Sequence, residues 1–170
     1  MQPDFEAYLD IETTGLSPWY SEITVIGMHV FNGIDSKFTQ LVGGDITAES
    51  VLEALEDIKV IYTYNGSRFD FPFIHCRLGL NLEMLFEHRD LMYQCWRNNL
   101  YGGLKYVEKQ LGIQRKLIEV NGYKAVMLWW KYTNDYDEGA LETLLEYNKE
   151  DVMNLMTLKE KLLQLDMSST

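Results

Sequence analysis

The sequence predicts a single α/β domain, residues 1–170, with a mixed sheet covered by helices. Three observations predict it. Strand patterns fill the first third, helix and strand patterns then alternate, and from Leu91 onward helical spacing dominates. A chain of 170 residues with no linker, repeat or low-complexity tract suits one core.

The first strand is read from FEAYLDIETTGL, Phe5 to Leu16. Phe5, Ala7, Leu9 and Ile11 fall on one face with a period of two, and Glu6, Tyr8, Asp10 and Glu12 on the other. Asp10 and Glu12 are same-face neighbours roughly 7 Å apart by strand geometry. The pattern alone leaves open whether they meet solvent or an ion. Glu22 to Phe31 reads as a second strand and Lys37 to Val42 as a third, with Asn32-Gly33 as the turn between them. Ala48 to Ile58 has helical spacing through Val51, Leu52 and Leu55, and Val60 to Tyr64 is a short β-rich run. A helix follows Pro72 through Phe73, Ile74 and Leu78, and Leu85 to Leu91 is a weaker strand. In LKYVEKQLG, Leu104, Val107 and Leu111 share one helical face and Lys105 and Lys109 another. Tyr123 to Tyr132 reads as an aromatic-rich helix, and Asp137 as the N-cap of a long helix through Leu165.

Composition narrows the function classes. The apolar fraction of 46% and charged fraction of 24% are those of a globular protein. No stretch is apolar enough to span a membrane, and MQPDFEAYLD lacks a basic segment followed by an apolar run. Cys76 and Cys95 have no paired or metal-ligand spacing, so a cytoplasmic chain with free thiols and no membrane partner is expected. His29, His75 and His88 are scattered and read as structural. A net charge of −11 argues against tight unaided binding of long duplexes. From Arg97 to Lys131, however, seven basic residues stand against Glu108 and Glu119 alone, the asymmetry of a chain with one substrate-facing side. Lys105, Lys109, Arg115 and Lys116 are the candidate phosphate contacts there. Trp96, Trp129 and Trp130 read as packing residues.

Two more acids stand out. In TYNGSRFDFPFI, Asp70 precedes Pro72 at a helix start, where it can cap the helix and still face a cleft. In LLEYNKEDVMNLMTL, Tyr147 and Asp151 are four apart and share a stripe with Leu144, Leu155, Leu158 and Leu162. A carboxylate facing a core is costly unless paired or metal-bound, and no Lys or Arg shares that stripe. Asp10, Glu12, Asp70 and Asp151 could converge from three elements. Such hard oxygen ligands suit two Mg²⁺ or Mn²⁺ ions, the clamp used for in-line phosphodiester cleavage.

LDIETTGL, YNGSRFDFPFI and YNKED, in that order, resemble the three exonuclease motifs of the DEDD superfamily within the RNase H-like fold. The second is similar to the proofreading exonuclease domain of family B DNA polymerases. The whole, from about Phe5 to Leu163, resembles the YprB-type RNase H-like domains. Tyr147 marks the y-type; the h-type would place a histidine where Glu146 stands. The resemblance implies a mixed five-stranded sheet, its first three strands antiparallel, with helices on both faces. It implies 3′→5′ exonucleolytic hydrolysis of single-stranded or frayed DNA or RNA to nucleoside 5′-monophosphates. Asp10, Glu12, Asp70 and Asp151 would be the metal ligands and Tyr147 would orient the nucleophile. Thr13, Leu16, Asn65, Phe69, Lys105 and Lys109 would meet the substrate, with Leu16 packing against the terminal base. Partners would be a nucleic-acid 3′ end and other nucleic-acid-processing proteins. A structure-selective endonuclease on the same fold and a non-catalytic binding module are the alternatives.

Overall fold

The computed structural model describes residues 5–168. Five strands form one sheet: β1 (Phe5–Thr13), β2 (Ile23–Phe31), β3 (Ser36–Val42), β4 (Ile58–Thr63) and β5 (Glu87–Asp90). Their order is β3-β2-β1-β4-β5. The first three are joined antiparallel, while β1–β4 and β4–β5 are parallel, so the sheet is mixed. Six helices pack around it: α1 (Ala48–Ala54), α2 (Asp70–Leu78), α3 (Leu91–Arg97), α4 (Leu104–Gln110), α5 (Gly122–Asp135) and α6 (Glu138–Ser168).

β1 lies at the centre and is covered on both faces. Ala7, Leu9 and Ile11 join Ile26 and Met28 of β2, Val51 and Leu55 of the α1 segment, and Phe73 and Ile74 of α2. Tyr8, on the opposite face, packs with Tyr62 of β4 and with Val152, Leu155 and Leu158 of α6. The half-polar alternation of β1 therefore does not mark a solvated face. Glu6 is neutralised by Lys159 of α6 and takes the Tyr8 hydroxyl, which lets the tyrosine ring lie buried. The stripe predicted on α6 is the buried one, from Leu144 through Leu162. Asp137 caps that helix, accepting the Ala140 N–H at 3.0 Å.

Two element boundaries and one packing residue correct the sequence reading. α1 ends at Ala54, not at Ile58, because Asp57 turns the chain with φ 63° and Ile58 opens β4 beside Phe5. Asp70 is the first residue of α2 and Phe69 the cap position, so the acid is not its N-cap. Trp129 packs over Gly43, as expected of a packing residue, but Trp130 is 43% exposed.

Candidate active site

The site lies where the parallel β1–β4 ladder ends. Its last pair is Tyr8–Tyr62, and β1 runs on alone on that side through Asp10, Ile11 and Glu12. The unpaired Ile11 N–H is taken by the Asp70 carboxylate at 3.1 Å. This bond ties the start of α2 to the end of β1 and satisfies a buried donor. The turn between β4 and α2 is fixed by Asp90, which accepts the N–H of Asn65 at 2.8 Å and of Ser67 at 3.1 Å. Asn65 itself is left-handed, with φ 62°. At Gly66 a Cβ would stand 2.2 Å from Thr63 Oγ1, so the Asn-Gly pair is demanded by the turn.

Asp10 and Glu12 point to the α6 face of β1. There Asp151 meets them: each of the three offers an oxygen within 4.8 Å of the others. Asp70 is outside this trio but lines the same cleft, about 240 Å³ in volume. Tyr147, Thr13 and Leu16 also line it, as do Asn65 and Phe69. Leu16 is 87% exposed at the mouth, and Phe69 packs on Phe73 with ring centroids 4.9 Å apart. Gly122 and Val126 bring the start of α5 to the cleft wall, a contribution with no motif in the sequence.

The basic residues divide differently from the reading of a solvated phosphate-binding face. The Arg115 side chain is only 7% exposed and is not such a contact. It pairs with Asp151 and grips Glu108 of α4 through Nε–Oε2 at 2.7 Å and Nη2–Oε1 at 2.9 Å. This is the partner that Asp151 requires, and it comes from the loop after α4. Lys105 turns its buried ammonium over the Tyr147 ring, 4.5 Å from the centroid. Lys109 is exposed and, with Lys105, lines a neighbouring groove rather than the acidic cleft. Lys116 is exposed, its main-chain N–H bound to Glu150.

Burial and crowding leave the acids short of positive charge. Burial, then the charges of Asp151, Glu12 and Asp70, hold Asp10 well above the usual carboxylate range. Glu12 is raised in the same way, by burial and then by Asp151 and Asp70, against the pull of Lys105. Burial pushes Asp70 up to about 7, opposed by its two N–H contacts, and Asp151 up to about 6, opposed by Arg115. Hard, buried, mutually repelling oxygens fit divalent cations, which would neutralise them.

A pH dependence follows. These acids hold protons more tightly folded than unfolded, so their contribution to stability is full below about pH 4. It is lost as pH rises through about 6 and about 7. In chelator, the loss of this contribution lowers the melting temperature from about pH 4 to about pH 7, and Asp70→Asn is expected to flatten the fall. Thermal melts at stepped pH check it; an identical slope in Asp70→Asn would refute it.

A family model for the RNase H superfamily matches residues 7–163. The chain belongs to the RNase H superfamily. The chain is similar to YprB of Bacillus subtilis (strain 168), an uncharacterised protein, at 34% identity over 112 residues, covering 60% of this chain and 27% of that protein. The matched part is thus about a quarter of the relative's length. The fold is similar to the family B DNA polymerase of the hyperthermophilic archaeon Pyrobaculum calidifontis, with a TM-score of 0.70 and 20% identity over 95% of this chain and 25% of that one. It is also similar to Brucella melitensis NrnC bound to pGG, with a TM-score of 0.64 and 21% identity over 99% of this chain and 76% of that one. The five-stranded mixed sheet with helices on both faces is the architecture expected from the motifs. No helix among the described residues is long and apolar enough to cross a membrane.

Proposed function

We propose that this RNase H superfamily chain is a metal-dependent 3′→5′ exonuclease acting on single-stranded or frayed nucleic acid. The observation that carries the reading is the convergence of Asp10, Glu12 and Asp151 within 4.8 Å, in a cleft also lined by Asp70 and Tyr147. Asp10, Glu12 and Asp151 would hold one divalent ion, and Asp10 with Asp70 a second. Bound Mg²⁺ or Mn²⁺ would supply a nucleophilic water at neutral pH and offset charge on the phosphate.

The reaction is an in-line displacement. Water oxygen bonds to phosphorus and gives up a proton to solvent, the bond from phosphorus to the 3′ oxygen breaks, that oxygen takes a proton from solvent, and a nucleoside 5′-monophosphate departs. Tyr147 serves as a hydrogen-bond donor that orients the water. Burial, then the charges of Asp151, Glu12 and Asp10, push its phenol well above its ordinary value, so it keeps its proton and is no base. Leu16 and Phe69 meet the terminal base, with Thr13 and Asn65 beside them at the cleft. Stacking contacts of this kind tolerate any base. Lys109, on the neighbouring groove, would meet phosphates further along the strand, while Lys105 offsets the acids from above Tyr147. The nucleic acid named for NrnC, pGG, supports a nucleic-acid substrate for this cleft.

The test is incubation of 5′-labelled single-stranded DNA and RNA with Mg²⁺ or Mn²⁺. A ladder shortening from the 3′ end is expected, and Tyr147→Phe should slow it by about 10-fold, the worth of one hydrogen bond, without unfolding the protein. Cleavage that survives chelation would overturn the metal-dependent reading. Cutting of a circular single strand would replace it with an endonuclease.

A further inference from the structure

One buried side chain of the YNKED segment is neither an acid nor the tyrosine of the site. Asn148 follows Tyr147 in α6 and is fully buried. Its Nδ2 lies 3.2 Å from the main-chain oxygen of Asp10 and 3.2 Å from Asp10 Oδ2. Both of its N–H groups are thus spent on one residue. The orientation of the amide is determined by its neighbours. The Asp10 main-chain oxygen can only accept, so nitrogen must face it. On the other side, Gln40 of β3 donates from Nε2 to Asn148 Oδ1 at 2.9 Å and to the Leu145 carbonyl at 2.8 Å. That carbonyl also only accepts, so the Gln40 amide is fixed too, and the relay Gln40–Asn148–Asp10 has one direction.

Gly27 makes room for the relay. It stands directly opposite Asp10 in β2. A Cβ there would lie 2.2 Å from Asn148 Oδ1 and 2.8 Å from Val152 Cγ2. A side chain at position 27 would therefore displace either Asn148 or the helix carrying it. A glycine inside a strand commonly marks such a close approach.

We propose that Asn148, oriented by Gln40, is a positioning residue for Asp10. The physical need is specific. Asp10 shares its face with Glu12 and Asp151, whose charges repel it, and an unheld carboxylate would swing away from them. Asn148 holds one oxygen and leaves the other for an ion, so the ligand set is oriented before any ion arrives. This role rests on the reading of the cleft as a divalent-ion site.

The experiment measures Mn²⁺ affinity of the whole chain by calorimetry, well below the melting temperature of each variant. Asn148→Ala is expected to bind Mn²⁺ about 10- to 100-fold more weakly than wild type. Gln40→Ala, on a half-buried edge strand, should weaken binding by a smaller factor. In the Asn148→Ala background the Gln40 change should add nothing, because its only route to Asp10 is gone. Equal Mn²⁺ affinity in wild type and Asn148→Ala would overturn the proposal, as would independent, additive effects of the two changes. A wild-type protein that binds no Mn²⁺ would instead overturn the reading of the cleft beneath it.

Discussion

Asp10→Asn is expected to lower metal-dependent cleavage on the order of a thousandfold and to raise the melting temperature of the metal-free protein. The two effects have one cause. Asp10 is half-buried among Asp151, Glu12 and Asp70, and its charge is disfavoured by lost solvation first and by those neighbours next. The amide removes that repulsion while keeping an acceptor for Asn148. A gain of about 1 kcal/mol would appear as about 2–4 °C in a chain of this size. The same change deletes a carboxylate oxygen from the trio that meets within 4.8 Å. Function and stability thus pull in opposite directions at this residue, as they do where a site is built from strained charges. Thermal melts in chelator and a labelled-strand assay with Mn²⁺ check both halves. Full cleavage by Asp10→Asn would remove the acidic cleft from the chemistry.

Glu108→Ala is expected to destabilise the fold by about 1.5–3 kcal/mol, the worth of hydrogen bonds to charged groups. Glu108 is 1% exposed in α4. It takes Arg115 through two hydrogen bonds, at 2.7 and 2.9 Å, and Asn154 of α6 at 3.1 Å. Without it, the Arg115 guanidinium keeps Asp151 and, at 3.7 Å, Glu150. It would then compete harder with a divalent ion for Asp151, so Mn²⁺ affinity should fall as well. Urea unfolding measures the first effect and calorimetry the second. An unchanged urea midpoint would show that the Arg115 network contributes little to the fold.

Much of the site was legible because its signals are local. Asp10 and Glu12 are two apart on a strand, and Tyr147 and Asp151 four apart on a helix, so each pair shares a face by backbone geometry alone. The turn at Asn65-Gly66 and the helix start at Asp70 were equally local. Arg115 was misread because a basic residue in a basic stretch looks solvated. Its burial depends on Glu108 and on Asp151, 36 positions away. Asn148 had no periodic signal of its own. The clue was Gly27, a small residue inside an otherwise β-rich strand, and its meaning depends on which helix lies over it.

The sequence by itself determined the class of fold, the order of its elements and the acidic residues of the cleft, because periodicity and turn chemistry act over a few residues. Tertiary structure decided three other things. It covered the second face of β1, turned Lys105 and Arg115 inward as counter-charges, and set Asn148 against Asp10 through the space left by Gly27. The reason is physical. Whether a charge is solvated, paired or held depends on what the fold packs against it, and those partners come from distant parts of the chain.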